Sequence, residues 1–136
     1  MQITGQCLCG AVQFTGTPIQ GGGISVCHCG QCRRWASGPL MSVRMADGVT
    51  LTTSDGLAWH ASSDFGERGF CRNCGSTLFW REAGAERDWA VSVGTLAEGH
   101  GQRIAEHIWV DDKPGFYDFA DDAPRLTAAQ AIARGE

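Results

Sequence analysis

Apolar and polar residues alternate, or nearly alternate, along five short stretches of the chain. These stretches are residues 12–15, 40–45, 49–52, 76–80 and 89–93. Alternation with a period of two is typical of strands that bury one face. Between them lie segments that contain glycine and allow tight turns, at residues 16–18, 21–23, 38–39, 47–48, 55–56 and 99–101. The pattern predicts a mainly β protein built from short strands.

Only two stretches have a helical character. One is a short turn at residues 33–36, directly after Cys32, and the other is the alanine-rich segment 128–134. Thr127 and Gln130 have the spacing of a capping box, so we expect a short C-terminal helix. The chain contains no repeat and no low-complexity linker, and its 136 residues suffice for one core but not for two ordinary domains. Residues 1–136 are therefore predicted to form a single domain.

Charge and hydropathy restrict the expected partners. The formal net charge is −4, with acidic residues spread along the chain, so neither nucleic acid nor an anionic membrane is an expected partner. The first residues contain no positively charged region followed by an apolar one, and no apolar run reaches the length of a membrane span. We therefore expect a soluble, cytoplasmic protein.

Seven cysteines dominate the candidate chemistry. In a reducing cytosol they do not form a disulfide framework, and an odd number cannot pair completely, so metal binding or catalysis is expected. They occur as C-x-C and C-x-x-C clips, which place thiols on one side of a strand or around a tight turn. Gly10, Gly30 and Gly75 follow the clips and allow positive φ or close backbone approach. The clips contain Cys7 and Cys9, then Cys27, Cys29 and Cys32, then Cys71 and Cys74.

Seven thiolates divide into four and three, because a structural zinc ion takes four ligands. A four-cysteine group of Cys7, Cys9, Cys71 and Cys74 would tie the start of the chain to its middle. The remaining three-cysteine group of Cys27, Cys29 and Cys32 would keep a position for substrate, giving two Zn²⁺ ions per chain. In an alternative, all seven thiols serve structural zinc, and the second site is completed by His28, His60 or His107. A thioredoxin-like redox role would require a βαβ context and a single C-x-x-C.

Three segments of the sequence resemble those of one family. They are residues 5–12 (GQCLCGAV), 26–33 (VCHCGQCR) and 70–76 (FCRNCGS), and residues 107–113 (HIWVDDK) resemble the family's C-terminal strand. The family is that of the glutathione-dependent formaldehyde-activating enzymes, which share their domain with centromere protein V. The resemblance extends over about residues 5–119. It implies an Mss4-like fold, which is a twisted, mostly antiparallel β structure held by a structural zinc ion.

The resemblance also implies a reaction and roles for the cysteines. The structural zinc would be held by the four-cysteine group and the catalytic zinc by the three-cysteine group. The implied reaction is that of a carbon–sulfur lyase, which joins glutathione and formaldehyde to S-hydroxymethylglutathione or reverses this step. The chain is shorter than the formaldehyde enzyme and has Phe116 where many relatives have Trp. Glutathione or a similar thiol, and formaldehyde or another small carbonyl, are therefore the expected substrates.

Three thiolate ligands make zinc a poor Lewis acid toward water but suit it to soft sulfur, so a substrate thiol is the expected fourth ligand. The negative charge of such a site favours nearby cations, for which Arg33 and Arg34 are candidates, although both also fit a solvated surface. Proton transfer to or from the carbonyl oxygen needs a further group. The candidates are His28, His60, His107 and Tyr117. Two other function classes stay open: a zinc-stabilised Mss4-like protein-binding module without turnover, and a metal or thiol buffer.

Overall fold

The computed structural model describes residues 1–135 and is mainly β, which confirms the predicted fold class. In this range two short α-helices are present, α1 (Gly30–Ala36) and α2 (Ala128–Ala133), with 3-10 turns at Val93–Thr95 and Val110–Asp112. The ten strands in the same range are β1 (Ile3–Gln6), β2 (Gln13–Gly16), β3 (Ile24–Cys27), β4 (Leu40–Met45), β5 (Val49–Thr53), β6 (Leu57–Ala61), β7 (Gly66–Cys71), β8 (Thr77–Glu82), β9 (Trp89–Ser92) and β10 (Ile104–Ile108).

The strands form two sheets. A three-stranded sheet has the order β1-β2-β5, and a seven-stranded sheet has the order β10-β3-β4-β9-β8-β7-β6. All pairings are antiparallel except that of β10 with β3, in which His107 lies beside Val26 and Ile108 beside Cys27. This parallel pair brings a late segment of the chain to the strand that ends at Cys27.

Aromatic contacts join the two sheets. Phe14 on β2 and Phe79 on β8 are each 1% exposed, and their ring centroids lie 5.0 Å apart in an edge-to-face arrangement. Burial of a large apolar side chain stabilises the folded state by roughly 1.5–3 kcal/mol. Phe79 also packs against Trp59 and Trp89. The alternating inward residues of the strands therefore form the core, as the sequence pattern predicts.

The five strands predicted from alternation are all present. β4 has the predicted bounds, and β2, β5, β8 and β9 differ from the prediction by one or two residues at their ends. The capping box at α2 is also present, because the Thr127 hydroxyl accepts from the Gln130 N–H while the Gln130 side chain accepts from the Thr127 N–H. The strands that alternation did not predict are β1, β3, β6, β7 and β10.

The segment 107–113, which resembles a C-terminal strand, is only partly extended. β10 ends at Ile108, and Trp109 takes a left-handed conformation with φ of 56° before the 3-10 turn. The strand therefore contributes His107 to the interior, while the following turn directs the chain across the face of α1, where Asp112 contacts Gly30. In residues 1–135 no helix is long and apolar enough to cross a membrane.

Candidate metal centres

The four-cysteine group lies where the end of β7 meets the loop after β1. The Sγ atoms of Cys7 and Cys9 are 3.7 Å apart, those of Cys9 and Cys71 are 3.8 Å apart, and all four sulfurs, including that of Cys74, lie within 4.8 Å of one another. Four sulfurs at about 2.3 Å from a tetrahedral zinc ion are separated by about 3.8 Å. The arrangement therefore fits zinc without rearrangement of the backbone.

Backbone geometry supports this group on both sides. Gly10 and Gly75 take φ values of 83° and 78°, a region that favours glycine, as the positions after the clips require. Their N–H groups donate to the carbonyls of Cys7 and Cys71 instead of to sulfur. The Ser76 hydroxyl lies 3.2 Å from the Cys74 Sγ, and this hydrogen bond lowers the pKa of the Cys74 thiol to about 5. The site therefore favours at least one thiolate.

The three-cysteine group lies at the junction of β3 and α1. Cys27 is the last residue of β3, Cys29 is the N-cap of α1 and Cys32 lies in the first turn of that helix. The three sulfurs lie within 4.8 Å of one another, and in the described range no fourth cysteine, histidine or carboxylate belongs to the group. Cys27 and Cys29 are half-buried, so a small molecule can reach them. The group can hold a metal ion through three thiolates and leave one position for an external ligand.

Gly30 does not have the conformation expected from its place in the clip. It is the first residue of α1, and its φ is not positive. Its N–H donates to the Asp112 carboxylate at 2.7 Å, and the N–H that points at a sulfur in this turn is that of Cys32, 3.4 Å from the Cys29 Sγ. The clip is therefore shaped by the start of a helix instead of by a left-handed glycine.

The three sulfurs influence one another's ionisation. Hydrogen bonds from Cys27 and Cys32 lower the pKa of the Cys29 thiol to about 2. Hydrogen bonds with Cys29 and Cys32 have the opposite effect on Cys27 and raise the pKa of its thiol. One thiolate therefore forms readily at Cys29, whereas further ionisation needs positive charge nearby.

Arg68 on β7 provides positive charge at this group. Its side chain is buried, and its Nη1 donates to the Cys32 Sγ at 3.6 Å. Its Nη2 donates to the Gln31 side chain, its Nε donates to Ser62, and its guanidinium lies 5.0 Å from the Trp35 ring centroid. The arginine is thus held in place from several sides, which aims its charge at the sulfur.

The two arginines proposed from sequence make other contacts. Arg33 donates to the backbone carbonyls of His28 and Asp112, and Arg34 is exposed. Sequence reasoning did not identify Arg68, which is 36 residues from Cys32 and has no local motif. Its place on β7 within the folded protein brings it to Gln31 and Cys32 of α1.

A chain of hydrogen bonds begins beside the three-cysteine group. His28 lies between Cys27 and Cys29 in sequence; its Nδ1 is 2.8 Å from the Tyr117 hydroxyl and its Nε2 is 2.8 Å from the His107 Nδ1. The His107 Nε2 is 3.0 Å from a carboxylate oxygen of Asp121. Both histidines are 1% exposed, and burial together with the nearby His107 lowers the pKa of His28 to about 4.

The hydrogen bonds of His28 and His107 argue against the alternative in which a histidine completes the second metal site. Both ring nitrogens of His28 and of His107 already have partners within the chain. His60 is exposed on β6 and does not belong to the three-cysteine group. None of the three cysteines lines either of two surface depressions, whose volumes are about 750 and 920 Å³.

The fold and the two cysteine groups define a class: a mainly β protein with one four-thiol site of zinc geometry and one three-thiol site beside a buried histidine pair. Residues 2–112 match the family described as glutathione-dependent formaldehyde-activating enzyme. The chain belongs to this family, as the three cysteine segments indicate.

One relative agrees with this assignment, and one solved structure has a similar fold. An uncharacterized lyase of Schizosaccharomyces pombe is 30% identical over 131 residues, which cover 96% of this chain and 95% of the relative. A Rhodobacter sphaeroides protein, whose crystal structure was solved as a Northeast Structural Genomics target, superimposes with a TM-score of 0.61. It is 19% identical, and the match covers 90% of this chain and 98% of that one, so it shows a shared fold.

Proposed function

We propose that this protein is a zinc-dependent carbon–sulfur lyase that acts on the adduct of a thiol, such as glutathione, with formaldehyde or another small carbonyl. The observation that carries the proposal is the three-cysteine group, which has no fourth ligand from residues 1–135 and two half-buried sulfurs. The family assignment and the lyase name of the yeast relative support an enzyme of this type.

The composition of the three-cysteine group favours sulfur chemistry. Zinc held by three thiolates supplies a soft site that keeps a substrate sulfur ionised near neutral pH. The chain provides the rest of the environment: Arg68 offsets the charge of Cys32, and the start of α1 fixes the spacing of Cys29 and Cys32. A sulfur positioned here can form a bond to a carbonyl carbon, and expulsion of the same sulfur regenerates the carbonyl.

Direct binding of sulfur is the sharpest test, because thiols add to formaldehyde in water without a catalyst. In protein loaded with Co²⁺ at both cysteine groups, glutathione should change the ligand-to-metal absorption, since a fourth thiolate enters the coordination sphere. S-methylglutathione lacks an ionisable thiol and should change it far less. The measurement is a titration of the visible and near-ultraviolet spectrum.

A matched variant assigns the response to one group. Cys29→Ser removes one ligand of the three-cysteine group and leaves the four-cysteine group intact, so its cobalt spectrum should no longer respond to glutathione. An equal response to both ligands, or no response to either at saturation, would contradict sulfur ligation. The protein-binding module would then be the favoured function.

A further inference from the structure

We infer that the Tyr117 hydroxyl oxygen accepts a hydrogen bond from the substrate hydroxyl, and that Asp121 fixes this role through His107 and His28. The inference rests on the proposed function, because it concerns a hydroxyl formed at the former carbonyl carbon. It assigns Tyr117 contact with the substrate and makes Asp121 a positioning residue, since Asp121 acts only through the two histidines.

The four side chains form a continuous path from the three-cysteine group to the surface. Tyr117 is half-buried, His28 and His107 are 1% exposed, and the Asp121 side chain is 27% exposed. The rings are also nearly parallel, with interplanar angles of 16° between Tyr117 and His28 and 22° between His28 and His107. The hydrogen bonds therefore follow one another in a row.

The carboxylate determines the direction of every bond in this row. An ionised carboxylate only accepts hydrogen bonds, so the His107 Nε2 must donate to Asp121. In a neutral ring the His107 Nδ1 then accepts, which makes the His28 Nε2 the donor across the 2.8 Å contact. The His28 Nδ1 in turn accepts from the Tyr117 hydroxyl. The phenolic proton of Tyr117 therefore points to His28, and the lone pairs of the Tyr117 oxygen can accept a hydrogen bond from the substrate hydroxyl.

Tyr117 lies where such an acceptor can reach the substrate. The segment that leads to Tyr117 lies against the start of α1, where the Asp112 carboxylate accepts from the Gly30 N–H at 2.7 Å, so the phenol is placed near the turn that contains Cys29 and Cys32. Burial raises the pKa of the Tyr117 hydroxyl and so keeps it protonated; of the two smaller influences, the Arg33 guanidinium lowers this pKa and the Cys27 sulfur raises it. The Lys113 ammonium lies over the Tyr117 ring, 4.9 Å from the ring centroid.

The row also offers a route for a proton. When the carbon–sulfur bond of the adduct breaks and its electron pair stays on sulfur, the hydroxyl proton must leave as the carbonyl forms. The Tyr117 oxygen accepts this proton while its own proton moves to the His28 Nδ1. The His28 Nε2 proton moves to the His107 Nδ1, and the His107 Nε2 proton moves to Asp121. No ring becomes charged. The row is restored when the protons move back from Asp121 toward Tyr117 after the carbonyl has departed and the extra proton leaves from Tyr117 to water.

A purely structural role for the row is the alternative. His107 also anchors the C-terminal segment through backbone hydrogen bonds, in which its N–H donates to the Pro124 carbonyl and its carbonyl accepts from the Leu126 N–H. A structural role would require these contacts, but it would not require that each hydrogen bond be donated in one particular direction. The test must therefore read the positions of the protons.

Asp121→Asn should reverse the direction of the hydrogen bonds in part of the molecules. The Ala123 N–H and the Arg125 guanidinium both donate to one oxygen of Asp121, the Oδ2, so they hold the amide oxygen of the variant in that place. The His107 Nε2 lies 3.0 Å from the Oδ1 and 3.1 Å from the Oδ2, so in the variant it faces both the amide nitrogen and the amide oxygen. The amide nitrogen can donate where the carboxylate could only accept. In the molecules where it does so, both rings change tautomer and the Tyr117 hydroxyl becomes a donor toward the substrate. Asp122→Asn removes the same charge one residue further along from an exposed side chain and serves as the matched control.

Nitrogen-15 NMR of the zinc-loaded protein at pH 8 distinguishes the two tautomers directly. We expect Nε2–H on both His28 and His107 in the wild type and in Asp122→Asn, and a mixture that includes Nδ1–H on both rings in Asp121→Asn. An Nδ1–H tautomer or a doubly protonated His107 in the wild type would overturn it. Nε2–H alone on both rings in Asp121→Asn would also overturn it, because the ionised carboxylate would then not be what sets the direction of the row.

Kinetics of adduct breakdown test the role of Tyr117. Tyr117→Phe keeps the ring, so the thiol-induced change of the cobalt spectrum should persist, while kcat should fall by about 100-fold or more and KM should change little. Asp121→Asn should also lower kcat, by less than Tyr117→Phe because only part of the molecules reverse the row, and Asp122→Asn should not lower it. Unchanged kcat in Tyr117→Phe overturns this inference alone, whereas loss of the glutathione response in the wild-type cobalt spectrum contradicts the proposed function.

Discussion

At the scale of single residues, Arg68 is the main addition that the structure makes to the three-cysteine group. It is buried, it donates to the Cys32 sulfur, and Gln31, Ser62 and Trp35 hold its guanidinium in place. Groups that orient and neutralise metal ligands commonly affect metal affinity 10- to 100-fold, so roughly that range is expected here. The charge of Arg68 should therefore be measurable through the metal.

Arg68→Gln should weaken metal binding at the three-cysteine group by roughly 10-fold or more, because the neutral amide retains a hydrogen-bond donor but removes the compensating charge. Competition titration with a metal indicator measures the affinity of each group. Arg34→Gln removes an exposed arginine next to the same cysteines and should have little effect. Equal losses in the two variants would show that only the overall charge of α1 and its surroundings matters.

The sequence predicted the cysteines well because each clip is local. Spacings of two and three residues determine which thiols form a clip, whereas the joining of two distant clips into the four-cysteine group was predicted from the four ligands of a structural zinc ion and from the family resemblance. Arg68 and Asp121 have no such signal. Arg68 is one of several arginines, and Asp121 becomes informative only when β10 has placed His107 against His28, which is 79 residues away in sequence.

At the scale of elements, physical reasons explain why the alternation of apolar and polar residues did not predict some of the strands. β7 contains Gly66 and Gly69, which weaken its intrinsic strand preference. A Cβ at Gly66 would lie 2.8 Å from the Trp80 ring, and one at Gly69 would lie 3.0 Å from the Trp59 ring. Packing between neighbouring strands therefore requires glycine where local propensity disfavours it. The parallel pairing of β10 with β3 likewise depends on contacts that no local pattern specifies.

The two cysteine groups join different elements, which leads to opposite expectations for their variants. Cys74→Ser opens a link between the loop after β1 and the end of β7, so it should lower the free energy of unfolding by about 3 kcal/mol or more, on the order of 10 °C in Tm. Cys29→Ser affects a local clip and keeps a good helix N-cap, so the loss should be about 1 kcal/mol.

These two positions are matched because both side chains are cysteines in clips, and calorimetry of the zinc-loaded variants measures the difference. Cys29→Ser should abolish turnover despite its small effect on stability. If both variants lost the same free energy of unfolding, both groups would be structural, and the proposed enzyme function would be abandoned.

At the scale of the whole molecule, the two groups should bind zinc with unequal affinity. The four-cysteine group supplies four ligands from segments joined by folding, while the three-cysteine group supplies three with two half-buried sulfurs. A mild chelator should therefore remove one equivalent of zinc first, with little loss of secondary structure, and the second only at higher concentration.

Native mass spectrometry during the chelator titration counts the ions, and circular dichroism follows the fold. Glutathione should protect the first equivalent, because a ligand that binds the loaded site stabilises it. Detection of a single equivalent in carefully purified protein, with no second binding event on titration, would contradict the division into four and three.

The spacing of the cysteine groups along the chain also sets an order during synthesis. Cys27, Cys29 and Cys32 are close together in sequence and are synthesised almost together. The partners of Cys7 and Cys9, which are Cys71 and Cys74, are 62 or more residues further on and are synthesised later. At roughly 5–20 residues per second, the 42 residues between Cys32 and Cys74 take about 2–8 s to appear. During that interval the nascent chain exposes five thiols and lacks its long-range tie. In a newly made chain the three-cysteine group is therefore available to bind metal before the four-cysteine group, which stabilises the fold, is complete.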